Sequence, residues 1–419
     1  MTQRYDTYKD SGVQWLGEIP GHWEMRKMKY IFDERSEKNH PNEPMLSATQ
    51  SEGVILQSKY QGRVVVVNTG FEGLKLVKDG DFVIHLRSFQ GGIEYAYDRG
   101  IISAAYTILN PKYPEFSAYY KRLFKSSSFI DLLKICVTGI REGQNINYSK
   151  LKQFFIPLPP LSEQRSIVSF LDAKCGKIDE WVTKKQKEVE NLQELKQRVI
   201  ADAVTRGLNP NVKMKATNIP WLKEIPEHWE VLRNKSFLRL TDEKVGNRND
   251  VTLLSLTKQG VIIRDLSEGK GKFPKDFETY LVVRPNNLVF CLFDIDETPR
   301  TVGLVRNYGM LTGAYTNFEV NEEIVLPEYA YCYYLQIDDV KGLRPYYTGL
   351  RKVVKTNTFL QLRIPVPPLS EQKQIVSYLD AKCAKIDKLI ANITKEIECI
   401  KEYKQRLISD VVTGQIKVC

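Results

Sequence analysis

The stretch Ile156-Pro-Leu-Pro-Pro-Leu-Ser-Glu-Gln164 returns later in the chain as Ile364-Pro-Val-Pro-Pro-Leu-Ser-Glu-Gln372. The match continues beyond this motif, because 30 of the 51 residues in 156–206 are identical to their counterparts in 364–414. A second motif, Trp15-Leu-Gly-Glu-Ile-Pro-Gly-His-Trp-Glu24, recurs around Trp221 with eight of ten residues identical. Such a direct repeat indicates a tandem duplication in which both halves share one fold.

Each repeated segment has the pattern of a long helix. In the first copy no proline follows Pro160 until Pro210, and Ser162 is predicted to be the N-cap residue. We expect Gly176 to break this copy into a short helix and a long one of about 30 residues, a rod of roughly 45 Å. The second copy is expected to be helical from Ser370 onward.

Apolar residues recur at a spacing of three and four along both helices, which is typical of a coiled-coil seam. Lys185, Lys196 and Lys404 are the polar exceptions in this seam. Because the two segments are repeats of each other, each helix is the expected partner of the other. The apolar positions are Ile178, Val182, Val189, Leu192, Val199 and Ala203 in the first copy, and Ile386, Ile390, Ile393, Ile397, Ile400, Leu407 and Val411 in the second.

Between the repeated pieces lie inserts of 131 residues (25–155) and 133 residues (231–363). Short β-branched and aromatic runs predict strands at 64–67, 82–85, 282–283 and 288–293, and helices are predicted at 115–133 and 327–337. Scattered matches occur in the same order in both inserts, which predicts one α+β domain type with two different surfaces. The predicted boundaries are 1–155 and 209–363 for the two variable domains, and 156–208 and 364–419 for the helical segments.

The composition limits the class of protein. The 419 residues carry a formal charge of +10, which favours a polyanionic partner, and the two helical segments hold only +2 of it. Seven widely spaced cysteines form no Cys-x-x-Cys pair, so reduced thiols are expected. No apolar run approaches the roughly 18 residues of a membrane span, and the polar start has no signal-peptide core, which predicts a cytoplasmic protein without a membrane partner.

Motifs of catalysis and cofactor binding are missing from the sequence. It contains no phosphate-binding Gly-x-x-x-x-Gly-Lys-Ser/Thr loop, no Gly-x-Gly-x-x-Gly and no Asn/Asp-Pro-Pro-aromatic motif. We therefore expect this chain to bind no cofactor and no metal and to have no catalytic residues. Asp294-x-Asp296-Glu297 is interpreted as a polar loop, with a Mg²⁺ site as the alternative.

Two pairs of repeat equivalents also receive structural interpretations. His22 and His228 are expected to be packed or capping residues. Cys175 and Cys383 are expected to be small packed residues, with a reactive thiol as the alternative.

The two motifs, in this order and duplicated over nearly the whole chain, resemble the DNA-specificity subunit of Type I restriction-modification systems. The resemblance implies two target-recognition domains that each read half of a bipartite, asymmetric sequence in double-stranded DNA, with the long helices pairing as an antiparallel spacer. It also implies two copies of a modification subunit, which is an S-adenosylmethionine-dependent methyltransferase, and restriction subunits that use ATP. S-adenosylmethionine, ATP and Mg²⁺ would then be bound only by those partners.

Candidate DNA contacts follow from residue chemistry. Arg87 and Gln90 lie in a glycine-rich turn after a predicted strand, and both side chains can bond bidentately to base edges. Basic or amide residues near the end of each variable domain are assigned mainly to phosphate positioning. These are Arg141 and Gln144 in the first domain and Arg351, Lys352 and Lys355 in the second.

Two other functions remain open from the sequence. A self-sufficient DNA enzyme would show activity from this chain alone that depends on Asp294 and Asp296. A coiled-coil scaffold would bind DNA without sequence preference and without salt dependence. The basic stretch of Lys270, Lys272 and Lys275 around Phe273 is interpreted as a solvated loop.

Overall fold

A computed structural model of the chain describes residues 3–62, 69–138, 145–248, 251–264 and 277–418. The chain divides into two compact units, one formed by Met1–Gln186 with Thr394–Cys419 and the other by Lys187–Ile393. Each unit therefore contains one variable region together with parts of both repeated helices. The run at 64–67 that we predicted as a strand lies outside the described residues.

In the first unit, a four-stranded antiparallel sheet has the order β4-β11-β8-β9. The other strands form antiparallel pairs, β1-β2, β3-β14, β5-β6, β7-β10 and β12-β13. The strands are β1 Tyr8–Asp10, β2 Glu18–Pro20, β3 Glu24–Lys27, β4 Phe32–Arg35, β5 Leu46–Thr49, β6 Gly53–Leu56, β7 Lys75–Val77, β8 Phe82–Ile84, β9 Glu94–Tyr95, β10 Gly100–Ile102, β11 Thr107–Pro111, β12 Val137–Thr138, β13 Asn145–Ile146 and β14 Phe155–Leu158.

Short helices complete the first unit: α1 Ser88–Gly91, α2 Ser117–Leu123, α3 Ser127–Ile135 and α4 Tyr148–Leu151. The single helix predicted over 115–133 is therefore two helices. Ser126 explains the interruption, because its side chain accepts a hydrogen bond from the Phe129 N–H and so caps α3. Phe124 and Phe129 are fully buried on either side of this junction.

The second unit repeats the architecture. Its four-stranded sheet has the order β18-β25-β22-β23, which matches the first sheet strand for strand, and β15-β16, β17-β26, β19-β20 and β21-β24 are antiparallel pairs. The elements are β15 Met214–Ile219, β16 Leu222–Pro226, β17 Glu230–Arg233, β18 Leu238–Thr241, β19 Leu254–Thr257, β20 Gly260–Ile263, β21 Leu281–Val283, β22 Leu288–Phe290, β23 Val302–Leu304, β24 Gly309–Leu311, β25 Thr316–Val320, α6 Pro327–Asp339, α7 Thr356–Gln361 and β26 Arg363–Val366.

The two repeated segments form single long helices, α5 Leu161–Arg206 and α8 Leu369–Val412. Our prediction of a break at Gly176 is wrong, because α5 continues through this residue. Gly176 is exposed and costs only about 1 kcal/mol in a helix, while Leu171 and Cys175 before it are buried in the core. Ser162 is also not the N-cap, since the helix begins one residue earlier.

Helix pairing occurs within each unit and is antiparallel. In the first unit, Ile167 and Leu171 near the start of α5 share a core with Leu407 and Val411 near the end of α8. In the second unit, Ile200 and Val204 near the end of α5 and Ile375 and Leu379 near the start of α8 belong to one core. The predicted α+β class with two similar domains and two antiparallel long helices is confirmed.

Two of the polar exceptions in the helical seam form interhelical ion pairs. Lys404 Nζ lies 2.6 Å from Asp179 Oδ1 in the first unit, and Lys196 Nζ lies 2.7 Å from Asp387 Oδ1 in the second. The two lysines are repeat equivalents, and so are the two aspartates. One contact is thus made twice, and each of these two lysines has a specific partner on the other helix. In the part of the chain that is described, no helix is long and apolar enough to cross a membrane.

Candidate nucleic-acid interface

The loop that follows β8 carries the first set of predicted base-contacting residues. His85 is buried at the end of the strand, and its Nδ1 accepts a hydrogen bond from the Arg87 N–H at 3.1 Å. The Ser88 hydroxyl accepts from the His85 N–H at 2.9 Å, and Ser88 begins the one-turn helix α1. These contacts fix the backbone while the side chains of Arg87 and Gln90 remain exposed.

A cluster of buried charged residues contacts this loop on its interior side. Glu94 is fully buried, and its Oε1 lies 2.5 Å from Lys125 Nζ and 3.6 Å from His85 Nε2. Lys125 Nζ also donates to the carbonyl of Gly91 at 2.9 Å. Neither Glu94 nor Lys125 was predicted from the sequence. The available signal was a carboxylate, Glu94, directly after the apolar Ile93.

The end of the loop depends on a glycine. Gly92 has φ of +87°, and a Cβ atom at this position would stand 2.1 Å from the carbonyl oxygen of Phe124. A side chain is excluded both by the backbone conformation and by this close approach. The loop is therefore held against the junction of α2 and α3.

The corresponding loop in the second unit follows β22 and has the opposite charge. Asp294 has φ of +46°, and its N–H donates to the carbonyl of Arg351 at 2.9 Å. The Arg351 guanidinium lies 3.4 Å from Asp294 Oδ2 and 5.7 Å from the centroid of the Phe293 ring. Its side chain is still 75% exposed, so this cation is paired at the surface without being removed from solvent.

Asp296 is the centre of a larger network in the same loop. Its carboxylate contacts Arg344 Nε at 2.9 Å, Lys352 Nζ at 3.1 Å and the Tyr347 hydroxyl at 3.1 Å. Hydrogen bonds from Arg344 and Lys352 lower the pKa of Asp296 to about 2. Lys352 also contacts Glu297 Oε1 at 2.8 Å. The structure thus brings the acidic motif and two of the predicted phosphate-contacting residues together.

The remaining predicted contacts are placed differently. Lys355 is exposed directly before α7. Arg141 and Gln144 lie outside the described residues, and so do Lys270, Lys272, Phe273 and Lys275. Among the described residues, no group of three or more His, Cys, Asp or Glu side chains could hold a metal ion. The three acidic side chains of residues 294–297 instead pair with Arg344, Arg351 and Lys352.

The two repeated motifs contact each other within each unit. His22 Nε2 lies 2.7 Å from Glu163 Oε2, and His228 Nε2 lies 2.7 Å from Glu371 Oε2. The histidines are about half exposed, and both glutamates stand in the first turn of a long helix. These histidines therefore attach the start of each domain to a helix, a pairing that the repeat alone did not reveal.

The repeated cysteines lie on the same helices. Cys175 is buried and Cys383 is half-buried, and burial raises the pKa of both thiols above the usual range. A raised pKa leaves less thiolate at neutral pH, so the packed-residue interpretation fits both positions better than a reactive thiol.

Comparison with known proteins identifies the family. The family model described as the Type I restriction modification DNA specificity domain matches residues 17–191 and 304–399 of the sequence. The chain therefore belongs to this family, as its motifs predicted.

Two relatives are similar in sequence to this chain, and one solved structure shares its fold. The type I restriction enzyme MjaVIII specificity subunit of Methanocaldococcus jannaschii is 24% identical over 361 residues, covering 82% of this chain and 80% of that protein. A second protein of that organism, provisionally named the MjaX specificity subunit, is 26% identical over 321 residues, covering 73% and 68%. A structure solved in work on complex assembly and conformational transition of the type I R-M system has the same fold, with a TM-score of 0.64, 15% identity and coverage of 94% and 98%.

Proposed function

We propose that this chain is the specificity subunit of a Type I restriction-modification complex and reads a bipartite, asymmetric DNA target, with one half-site for each variable domain. The observation that carries the proposal is the duplicated sheet, β4-β11-β8-β9 and β18-β25-β22-β23, whose central strands β8 and β22 are followed by loops of different chemistry. One scaffold with two different surfaces suits two different half-sites.

The first domain reads base edges through Arg87 and Gln90. An arginine matches the two acceptors of guanine, and a glutamine matches adenine. The support for this assignment is that both side chains are exposed on a backbone fixed by His85 and Ser88. A fixed backbone lowers the entropy lost when such a side chain binds.

The predicted phosphate contacts are Arg141 and Gln144 in the first domain and Arg351, Lys352 and Lys355 in the second. The ion pairs of Arg351 and Lys352 are compatible with this role. Surface ion pairs contribute only about 0–1 kcal/mol, so a DNA phosphate can replace the carboxylate at small cost.

The proposed complex contains two copies of a modification subunit, which carries the methyltransferase activity, and restriction subunits that depend on ATP. The contact between His and Glu at the base of each domain, formed once in each unit, supports two equivalent docking surfaces. This chain is proposed to be non-catalytic and cytoplasmic, with S-adenosylmethionine, ATP and Mg²⁺ bound by the partners.

Methylation mapping tests this function. DNA is sequenced for N6-methyladenine from a methylation-free host that expresses this chain with its neighbouring modification subunit, and from hosts that express each protein alone. We expect a split motif only when both are present. A mark made by this chain alone would show that it is an enzyme, and the absence of any mark with a folded partner would refute the specificity role.

Arg87 and Arg351 separate base reading from phosphate contact. Arg87→Ala should cost about 1–3 kcal/mol at one base pair and relax the preference there. Arg351→Ala should weaken binding to all sequences alike and reduce the slope of log K against log salt by about 1. If the two variants exchange these results, the assignments are wrong.

A further inference from the structure

A basic patch at the base of the second domain is not explained by the loops described above. It consists of Arg233 at the end of β17, Arg363 at the start of β26 and Lys235 in the short 3-10 helix after β17. All three residues are exposed. We call these three residues the basal patch.

Two arginines in the basal patch stand directly opposite each other. Arg233 and Arg363 are partners in the antiparallel β17-β26 ladder, so their side chains point to the same face. Like charges in this position repel each other and destabilise the pair. None of the three cations of the basal patch forms an ion pair with an acidic side chain in the described part of the chain. An external anion would relieve the repulsion.

Two other exposed arginines of the same unit lie opposite or beside acidic side chains. Arg306 lies 3.0 Å from Glu328, and Arg239 is the ladder partner of Glu319. The basal patch therefore differs from a surface on which opposite charges are evenly mixed.

The backbone that carries the basal patch is held rigidly by Asn234. This residue lies between Arg233 and Lys235 in the sequence and is fully buried. Its N–H donates to the carbonyl of Leu362 at 2.9 Å. Its Nδ2 donates to the Phe359 carbonyl at 2.8 Å, and its Oδ1 accepts from the Tyr334 hydroxyl at 2.5 Å. The two arginines thus project from a fixed frame, as a docking surface requires.

The equivalent position in the first unit is also basic. Lys27 and Lys29 correspond to Arg233 and Lys235, and the ladder partner of Lys27 is Phe155. Lys27 Nζ lies 5.4 Å from the Phe155 ring centroid, and Lys29 Nζ lies 5.1 Å from that of Tyr30. Positive charge therefore occurs here in both units. Lysine stands at both 29 and 235, and Lys27 takes the place of Arg233.

Positive charge at equivalent positions in both units suits a ligand whose chemistry is the same at both half-sites. The sugar-phosphate backbone is such a ligand, whereas the bases differ between half-sites. Resting on the proposed function, we infer that the basal patch of Arg233, Lys235 and Arg363 binds phosphates of duplex DNA, and that Lys27 and Lys29 do so in the first unit.

The test is the salt dependence of DNA binding by the complex of this chain with its modification subunit. Two duplexes are used, one with the mapped target and one with a scrambled sequence. The double variant R233Q/R363Q is compared with R239Q/R306Q, which removes the same charge from the same unit at arginines that lie opposite or beside acidic side chains. R233K/R363K keeps the charge at the tested positions.

We expect R233Q/R363Q to make the negative slope of log K against log salt shallower by about 2. The affinity should fall roughly ten- to thirtyfold at physiological salt on both duplexes. The control variant and the lysine variant should stay close to the unmodified complex. If the double variant does not fold, the single variants R233Q and R363Q should each lower the slope by about 1.

Two results would overturn the inference. One is an unchanged slope in R233Q/R363Q while the unmodified complex prefers its target, in which case the proposed function still holds. The other is loss of the modification subunit from this variant alone, which would make the basal patch a protein-docking surface. A reduced slope in a complex that shows no preference between the duplexes would support the basal patch and refute the specificity role.

Discussion

The two units share a strand order but use opposite charges at the same place in the sheet. After β8, the exposed Arg87 and Gln90 stand above a buried Glu94, whereas after β22 the exposed loop carries Asp296 within a network of cations. The sheet is maintained by buried apolar strands, which tolerate any loop that closes the same gap. Duplication of such a scaffold separates stability from recognition, so that the loops can differ while the core stays the same.

The residues just before β8 and β22 also differ between the units. In the first, Arg35 Nε lies 2.9 Å from Oδ2 of the buried Asp81, which also accepts the Lys78 N–H at 2.8 Å. In the second, Thr241 and Asn287 occupy the equivalent positions. Asn287 keeps the turn contact by accepting the Arg284 N–H at 2.7 Å, without a charge pair.

The largest expected effect is on this buried ion pair. Arg35→Leu should destabilise the first unit by about 3–5 kcal/mol, because it leaves the Asp81 carboxylate buried without its partner. Urea unfolding of the complete chain measures the loss. The control R35T/D81N installs the residues of the second unit and should recover most of the stability. Equal losses in both variants would show that the charge pair is not the cause.

Next in size is the contact between the repeated motifs. Glu163→Gln should cost about 2 kcal/mol and Glu371→Gln about 1 kcal/mol, because hydrogen bonds to a charged group are lost and Glu163 is the more buried of the two. Thermal unfolding measures both. Glu398→Gln, at an exposed position on α8, is the matched control and should change little. A larger loss for Glu371→Gln would contradict the argument from burial.

A smaller and opposite effect is expected where the repeats differ within the helices. Gly176→Ala should stabilise α5 by about 0.5–1 kcal/mol, since a Cβ atom there meets nothing within 4 Å. The equivalent residue in α8 is Ala384, so Ala384→Gly should lose a similar amount. Urea midpoints compare the two variants. No gain from Gly176→Ala would mean that the helix is strained at this residue.

The smallest effect concerns the exposed network of the second unit. Arg344 and Lys352 depress the pKa of Asp296 from 3.8 to about 2. The depressed pKa means that the stabilising contribution is present above about pH 4 and is lost as the pH falls towards 2. A carboxyl titration by NMR should show a midpoint near 2, and Arg344→Ala should move it towards 3.8. A midpoint that stays the same in this variant would exclude Arg344 as a cause.

Much of the fold was predictable because it depends on local patterns. The repeat, the long helices and their apolar seam all follow from spacing along the chain, and the family follows from the motifs. The errors were also local. Ser162 and Gly176 were judged by intrinsic preference, but the packing of Leu171 and Cys175 decided that α5 is continuous, and the cap by Ser126 divided a helix that we predicted as one.

The candidate site was less predictable because its contacts are distant in sequence. Asp294 and Asp296 were assigned to a polar loop, and Arg351 and Lys352 to another. The ion pairs between these two loops form because the fold brings the loop after β22 next to the end of the domain. The same is true of His22 with Glu163.

Patterns along the chain are enough to identify a duplicated α+β protein with two long helices that belongs to the DNA specificity family. Periodicity and repetition carry this information because they are properties of neighbouring residues. Contacts between distant residues follow only from the folded chain. They include the pairing of Lys196 and Lys404 with equivalent aspartates, the exposure of Arg87, the ion pair of Arg351, and the ladder pairing of Arg233 with Arg363. Electrostatic interactions depend on distance in space, and folding alone sets those distances.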